Sequence, residues 1–390
     1  MTEDNRSPAS YEKADRRRTN AVFGSNKLKL GLFGINCDSG CAMTTVPERL
    51  HLTWDATKAI AQTADNAGYE ILVPVARWKG LGGATDFNGR NFETYTWAAG
   101  LASVTKQITL TTTSHVQTTH PLFAAKQAAT IDHISGGRYC LNIVTGWFHP
   151  ELEMYGAPFL AHDDRYDYAQ EWFDIIKRAW TEDEEFDYEG SYHRVQGAYS
   201  LPKPLQTPHP AVINAGGSGK GQDFIAQNAD IGYVVLSDHN DMGKAAALVQ
   251  SYRDRAASYG REVQVWTHAY VIQRDTRAEA EAYLNRIAVE YGNDVAGDAA
   301  AHFLGVNSEI MSEDAWNAFK VHLKAGYGGL GLVGTADDIA AKLQALSDAG
   351  IDGVALHWVD YLDGMDRFNR IVLPMLEQAN LRQPYSPADA

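Results

Sequence analysis

Three cysteines in 390 residues, Cys37, Cys41 and Cys140, are too few for a disulfide framework. A reducing, cytoplasmic location is the expectation that follows. No run approaches the roughly 18 apolar residues that span a bilayer. The stretch 1–27 is polar, carries Arg16-Arg17-Arg18 and has no apolar centre. It is expected to be a flexible arm, or a segment ordered by a partner subunit, and no secretory signal. An excess of positive charge is also missing: the formal net charge is −15, which sets the surface against nucleic acid and acidic membranes.

Reactive motifs are as scarce. Cys37-x-x-x-Cys41 lacks a second ligand pair, and His115, His120, His149 and His162 form no H-E-x-x-H, so no metal is expected. Neither a G-x-S-x-G nor a Ser/His/Asp order argues for a hydrolase. No internal repeat is present, and no G-x-G-x-x-G follows the first apolar run. What the chain does have is aromatic: nine Trp and nineteen Tyr suit a flat, π-rich ligand, and equally a large core or a subunit interface.

Short apolar runs alternate with amphipathic helical patterns. The runs 28–35, 69–77, 108–116, 139–144, 211–215, 231–237, 262–273 and 353–358 read as eight strands. Helical patterns separate them at 53–67, 92–104, 121–134, 164–180 and 242–259, a last one covers 362–379, and 187–206 reads as irregular or hairpin. Eight strands with helices between them predict a closed parallel (β/α)8 TIM barrel. Strands seven and eight are separated by three further helical patterns, 278–289, 296–304 and 313–325. The expected organisation is an arm (1–27), one barrel domain (28–380) with a helical insertion (276–329) as lid or substrate pocket, and a tail (381–390).

Chemistry is expected at the C-terminal ends of the strands. Strand four carries one strongly polar residue, Asn142, then Thr145, Gly146 and Trp147, and a loop with His149, Pro150 and Glu151. Asn142 reads either as an ordinary hydrogen-bonded core residue or as part of a site. Glu151 has no sequence partner, which fits a surface position or a catalytic one. Asn214-Ala215-Gly216-Gly217-Ser218-Gly219-Lys220 follows strand five and opens a helix; it reads as a phosphate nest or as a plain tight turn. Arg165-Tyr166 at a helix start adds a cation and a phenol for the same phosphate, or Arg165 merely pairs with Asp163 or Asp164. A barrel with such a nest, many aromatics and no metal or nucleophile must borrow its reactivity, and a flavin supplies it.

The segment A-A-K-Q-A-A-T-I-D-H-I-S-G-G-R-Y-C-L-N-I-V-T-G-W, with Asp164-Arg165-Tyr166, A-G-G-S and L-V-G-T-A-D-D-I-A-A-K-L (332–343), resembles the bacterial luciferase-like flavin monooxygenases. Within them it is similar to the branch of pyrimidine, dimethyl sulfone and alkanesulfonate monooxygenases. The resemblance implies a (β/α)8 barrel, a homodimer or homotetramer, and FMN used as FMNH2 delivered by a separate NAD(P)H:flavin reductase. It further implies O2 as co-substrate, activated as a flavin peroxide in a dry, lidded site, and a small organic substrate cleaved at a carbon–heteroatom bond. N-heterocycles, cyclic amides, sulfones and organohalides are the substrate candidates. By the resemblance, Ala76, Arg77, Asn142, Glu151, Arg165, Tyr166, Gly216, Gly217 and Ser218 contact FMN. Thr113 and Asn142 hold dioxygen, with Trp147 on the same face. Arg77 stands where the pyrimidine enzyme has a lysine, and the loop 36–43, expected to face substrate, departs from that enzyme's pattern. A deazaflavin-dependent dehydrogenase on the same barrel and a non-catalytic flavin-binding protein are the alternatives.

Overall fold

The computed structural model describes residues 13–236, 241–303 and 312–387. Eight parallel strands form the barrel: β1 Lys29–Phe33, β2 Ile71–Val73, β3 Thr109–His115, β4 Tyr139–Val144, β5 Ala211–Asn214, β6 Ile231–Tyr233, β7 Gln264–Gln273 and β8 Gly353–His357. Each pairs with the next, and β8 pairs back to β1, so the cylinder closes as expected. Closure shields both faces of every strand, which is why most are apolar runs. β3 is the exception, T-L-T-T-T-S-H, buried along all seven residues. Three of its hydroxyls are tolerated because they are bonded: Thr109 to Asn20 Oδ1 at 2.6 Å, Thr112 to the Tyr139 hydroxyl at 2.5 Å, Thr113 to the Pro74 carbonyl at 2.8 Å.

Local signals set the helices around the barrel. Thr53 caps Trp54–Asn66 through the Ala56 amide, and Pro121 opens Pro121–Ser135, where its missing N–H costs nothing. That helix stops at Gly136, whose φ of +69° is left-handed. Phe186–Glu189 and Arg194–Ala198 form the hairpin anticipated in 187–206. No helix among the described residues is long and apolar enough to cross a membrane.

Residues 13–27, expected to belong to a flexible arm, pack instead on the floor of the barrel. Ala14–Asp15 pairs in parallel with Gln206–Thr207, Arg16 forks onto Asp230 at 2.9 and 2.6 Å, and Asn20 donates to the Tyr139 carbonyl at 3.0 Å. Val22 is fully buried in a cluster with Ile71, Cys140, Ile231 and Trp266, so it fills the opening that the strand N-termini leave. From the other end of the chain, Arg382 is buried against Glu70 at 2.8 Å. Residues 1–12 and 388–390, and the expected ends of strand six and of the second insertion helix at Ser237 and Leu304, lie outside the described residues.

The insertion holds the three expected helices. Arg277–Asn285 runs on through a π turn, Arg286–Glu290, and is followed by Asp294–Phe303 and Glu313–Gly326. Directly after 276–329 comes an unanticipated strand, Leu330–Gly334, before the helix Ala336–Asp348. β7 pairs with β6 only as far as Trp266; from Ala269 to Gln273 the extra strand runs beside it. The long β7 therefore forks, its first half closing the barrel and its second half anchoring the return of the insertion.

Candidate active site

Over the C-terminal strand ends lies a cavity of about 970 Å³, bounded by Asn142, Trp147, Arg165, Tyr166 and Gly216 on one side and by the helix Glu313–Gly326 above. A second, smaller cavity of about 210 Å³ is lined by Ala76, Arg77, Thr113 and His115. The wall between them is a cross-strand pair. Thr113 and Asn142 are direct register partners, and the Asn142 Nδ2 donates to Thr113 Oγ1 at 3.1 Å. Thr113 gives its own proton to the Pro74 carbonyl, which fixes its rotamer. Asn142 Oδ1 is buried and has no partner among the described residues. A buried amide oxygen left unpaired is costly unless a ligand completes it.

Behind Trp147 stands Arg77, 5% exposed, its guanidinium 4.7 Å from the Trp147 ring centre and 5.0 Å from that of Phe148. Its Nη2 donates to the Tyr327 hydroxyl at 3.1 Å, while Nε and Nη1 are buried without an acceptor among the described residues. Glu151 is 3.9 Å from Nη1 and offsets the charge. It lines neither cavity, and it is no loop residue: it sits in the short helix His149–Met154, 1% exposed, with Pro150 in the first turn. One of its carboxylate oxygens accepts from the Trp78 and Lys79 amides at 2.6 and 3.0 Å, which is why a carboxylate is stable there.

His115 lies 3.6 Å from Glu151, but burial and then the Arg77 charge push its imidazole down to about 3. In the unfolded chain it titrates near ~6.5. Between those values the unfolded state binds the extra proton, so stability falls as the pH is lowered. His115→Asn is expected to flatten the drop in Tm between about pH 7 and 5; thermal scans giving wild type and variant the same slope would refute it.

At the opposite end, Ser218 caps the helix Gly219–Asn228, its Oγ accepting from the Gly221 amide at 3.1 Å. A Cβ on Gly216 would stand 2.5 Å from the Gly221 Cα, so turn and helix touch backbone to backbone. Beside Gly217 nothing lies within 4 Å of where a Cβ would be, which leaves open space at the positive end of the helix. Arg165 is held in place by the Leu160 carbonyl on Nε at 3.0 Å and the Gly146 carbonyl on Nη1 at 2.7 Å; it does not pair with Asp163 or Asp164. Burial raises the Tyr166 pKa, so its hydroxyl stays protonated beside Gly221.

The luciferase-like monooxygenase family model matches residues 32–353, most of the chain. The chain belongs to that family. This luciferase-like protein is 29% identical to the FMNH(2)-dependent dimethylsulfone monooxygenase of Pseudomonas putida, over 91% of its own length and 96% of the relative's. It is 31% identical to the pyrimidine monooxygenase RutA of Methylobacterium radiotolerans, over 90% and 92% respectively. Among solved structures it superposes on a long-chain alkane monooxygenase with a TM-score of 0.81, at 21% identity and covering 93% and 94% of the two chains. A riboflavin lyase with modified FMN and riboflavin gives 0.80 at 22% identity, covering 92% and 93%.

The luciferase-like fold brings Asn142, Trp147, Arg165, Tyr166 and Gly216 to one cavity, with Gly217 and Ser218 on the adjoining turn. It puts Ala76, Arg77 and Thr113 on the other. The loop 36–43, expected to face substrate, lines neither. Its Met43 exchanges backbone hydrogen bonds with Lys324 and Asn293, so it ties down the insertion. Sequence reasoning missed Phe33, Tyr233 and His268 on the cavity floor, and Phe319 and His322 in its roof. Tyr233 and His268 stack at 5.8 Å and 12°. The available signal was position: Phe33 and Tyr233 close their strands, and His268 lies in the half of β7 that pairs with β8.

Proposed function

We propose that this protein is a two-component monooxygenase that takes FMNH2 from a separate NAD(P)H:flavin reductase and uses O2 to oxygenate and cleave a carbon–heteroatom bond. The substrate is a small organic molecule, the enzyme a cytoplasmic homodimer or homotetramer. The observation that carries the reading is the bonded Thr113–Asn142 pair with an unpaired amide oxygen at the junction of two cavities.

The residues present fit a flavin nucleotide. Gly217 leaves room for a phosphate at a helix N-terminus, and Ser218, Arg165 and Tyr166 surround it. Asn142 Oδ1 is a buried group with no partner among the described residues; the polar edge of a flavin ring provides one, and Arg77 adds positive charge from the adjoining cavity. Ala76 flanks Arg77 on the same wall, and Glu151 acts at one remove, holding the backbone of Trp78 and Lys79. Reduced FMN, when bound, supplies the electrons that activate dioxygen. Thr113 and Asn142 orient the oxygen through neutral hydrogen bonds, which places no uncompensated charge in the site. Trp147 and the insertion exclude water.

Two measurements test this. With FMN, a flavin reductase, NADH and air, a candidate substrate should gain one oxygen atom by mass spectrometry, and no product without O2; turnover under argon would overturn the reading. Gly216→Ala should weaken FMN binding by about tenfold or more, since the added methyl forces the turn off the helix; an unchanged titration would remove the turn from the site.

A further inference from the structure

We infer that the substrate is an uncharged, ring-bearing molecule held beneath the helix Glu313–Gly326, and that Phe319 is the residue that selects it. This rests on the flavin reading above. At about 970 Å³ the cavity lies at the upper end of the range for small-molecule sites, roughly 300–1,000 Å³, which leaves room for a second ligand beside a nucleotide. Its roof is Ala318, Phe319, His322 and Leu323, successive positions on one face of the insertion helix. Facing them are Phe33 and the stacked Tyr233–His268 pair. Rings above and below reward a flat apolar body through area and edge-to-face contact.

Charge narrows the class further. Among the described residues of the lining, Arg165 is the one Lys, Arg, Asp or Glu, and it belongs to the phosphate end, where two carbonyls hold it. Arg77 is not in this lining; it stands behind Trp147 with Glu151 3.9 Å away as counter-charge. His322 is oriented by the Tyr270 hydroxyl, 2.7 Å from its Nδ1, and burial followed by the Lys342 charge lowers its pKa, so it adds no fixed cation to the roof. An anion under this roof would lose its water and find no Lys or Arg among the described lining residues other than Arg165 at the far end. A neutral ring loses only apolar hydration.

Methyl phenyl sulfone and benzenesulfonate share a ring and differ by a methyl group against an anionic oxygen. In an anaerobic titration of the protein–FMNH2 complex, followed by flavin absorbance, the sulfone is expected to bind at least about tenfold more tightly. Phe319→Ala should lose most of that affinity, Phe319→Leu should keep it, and Phe319→Lys should reverse the preference, all with unchanged FMNH2 affinity. Equal affinities, a tighter sulfonate, or no binding of the sulfone overturns the inference. Failure of the wild type to bind FMNH2 sinks the flavin reading as well, and the flavin titration alone reports that.

Discussion

Asn142→Ala is expected to lower O2-dependent turnover by about 100-fold or more, the cost of removing one positioned hydrogen-bonding group from a reacting centre. FMN affinity should change little, because the proposed phosphate site is elsewhere, at the Ser218 turn beside Arg165 and Tyr166. Thr113→Ala should give a similar loss for a different reason. It removes the oxygen that accepts from Asn142 Nδ2 at 3.1 Å, leaving the amide free to turn. Thr113→Ser keeps that oxygen and its bond to Pro74, and should restore most of the activity. Because the two act as a unit, the double alanine variant should be little worse than either single one. Steady-state turnover with a parallel flavin titration decides the matter; normal turnover in Asn142→Ala would take the pair out of the mechanism.

Glu151→Ala is expected to destabilise the fold by about 3–5 kcal/mol, as removal of one partner from a buried ion pair does. The substitution leaves the Trp78 and Lys79 amides without this acceptor and the buried Arg77 without its counter-charge. Glu151→Gln keeps an acceptor for the two amides and removes only the charge, so its loss should be smaller. A third variant separates the causes: Arg77→Met combined with Glu151→Gln should recover part of the loss, since neither charge is then left alone. Urea denaturation measures all three. A Glu151→Ala variant within about 1 kcal/mol of wild type would mean that water reaches the cluster and screens it.

Why some of this was legible in the sequence follows from the kind of interaction involved. Barrel strands are buried on both sides, so their apolar runs mark them locally, and even the threonine-rich β3 keeps its β-branched character. Caps such as Thr53 and the stop at Gly136 act within a few positions of themselves, so the helical patterns 53–67 and 121–134 were equally readable. Glu151 was not, because the amides that bury it belong to Trp78 and Lys79, more than seventy positions earlier. Residues 13–27 gave no apolar signal for the same reason: their partners are Gln206, Tyr139 and Asp230, and most of those contacts are polar. The strand Leu330–Gly334 was hidden by composition, since L-G-L-V-G after Gly328 and Gly329 looks like a flexible connection until β7 is there to receive it.

The fork in β7 has an evolutionary corollary. The segment leaves the strand after Gln273 and comes back through Gly334, which is the register partner of that same Gln273. Gln273 and Gly334 thus lie one inter-strand spacing apart, about 4.8 Å, and residues 274–333, the extra strand included, form a cassette plugged into a single socket. None of its residues takes part in the pairing that closes the cylinder, so replacing one contiguous stretch of gene changes the roof of the cavity and leaves that closure in place.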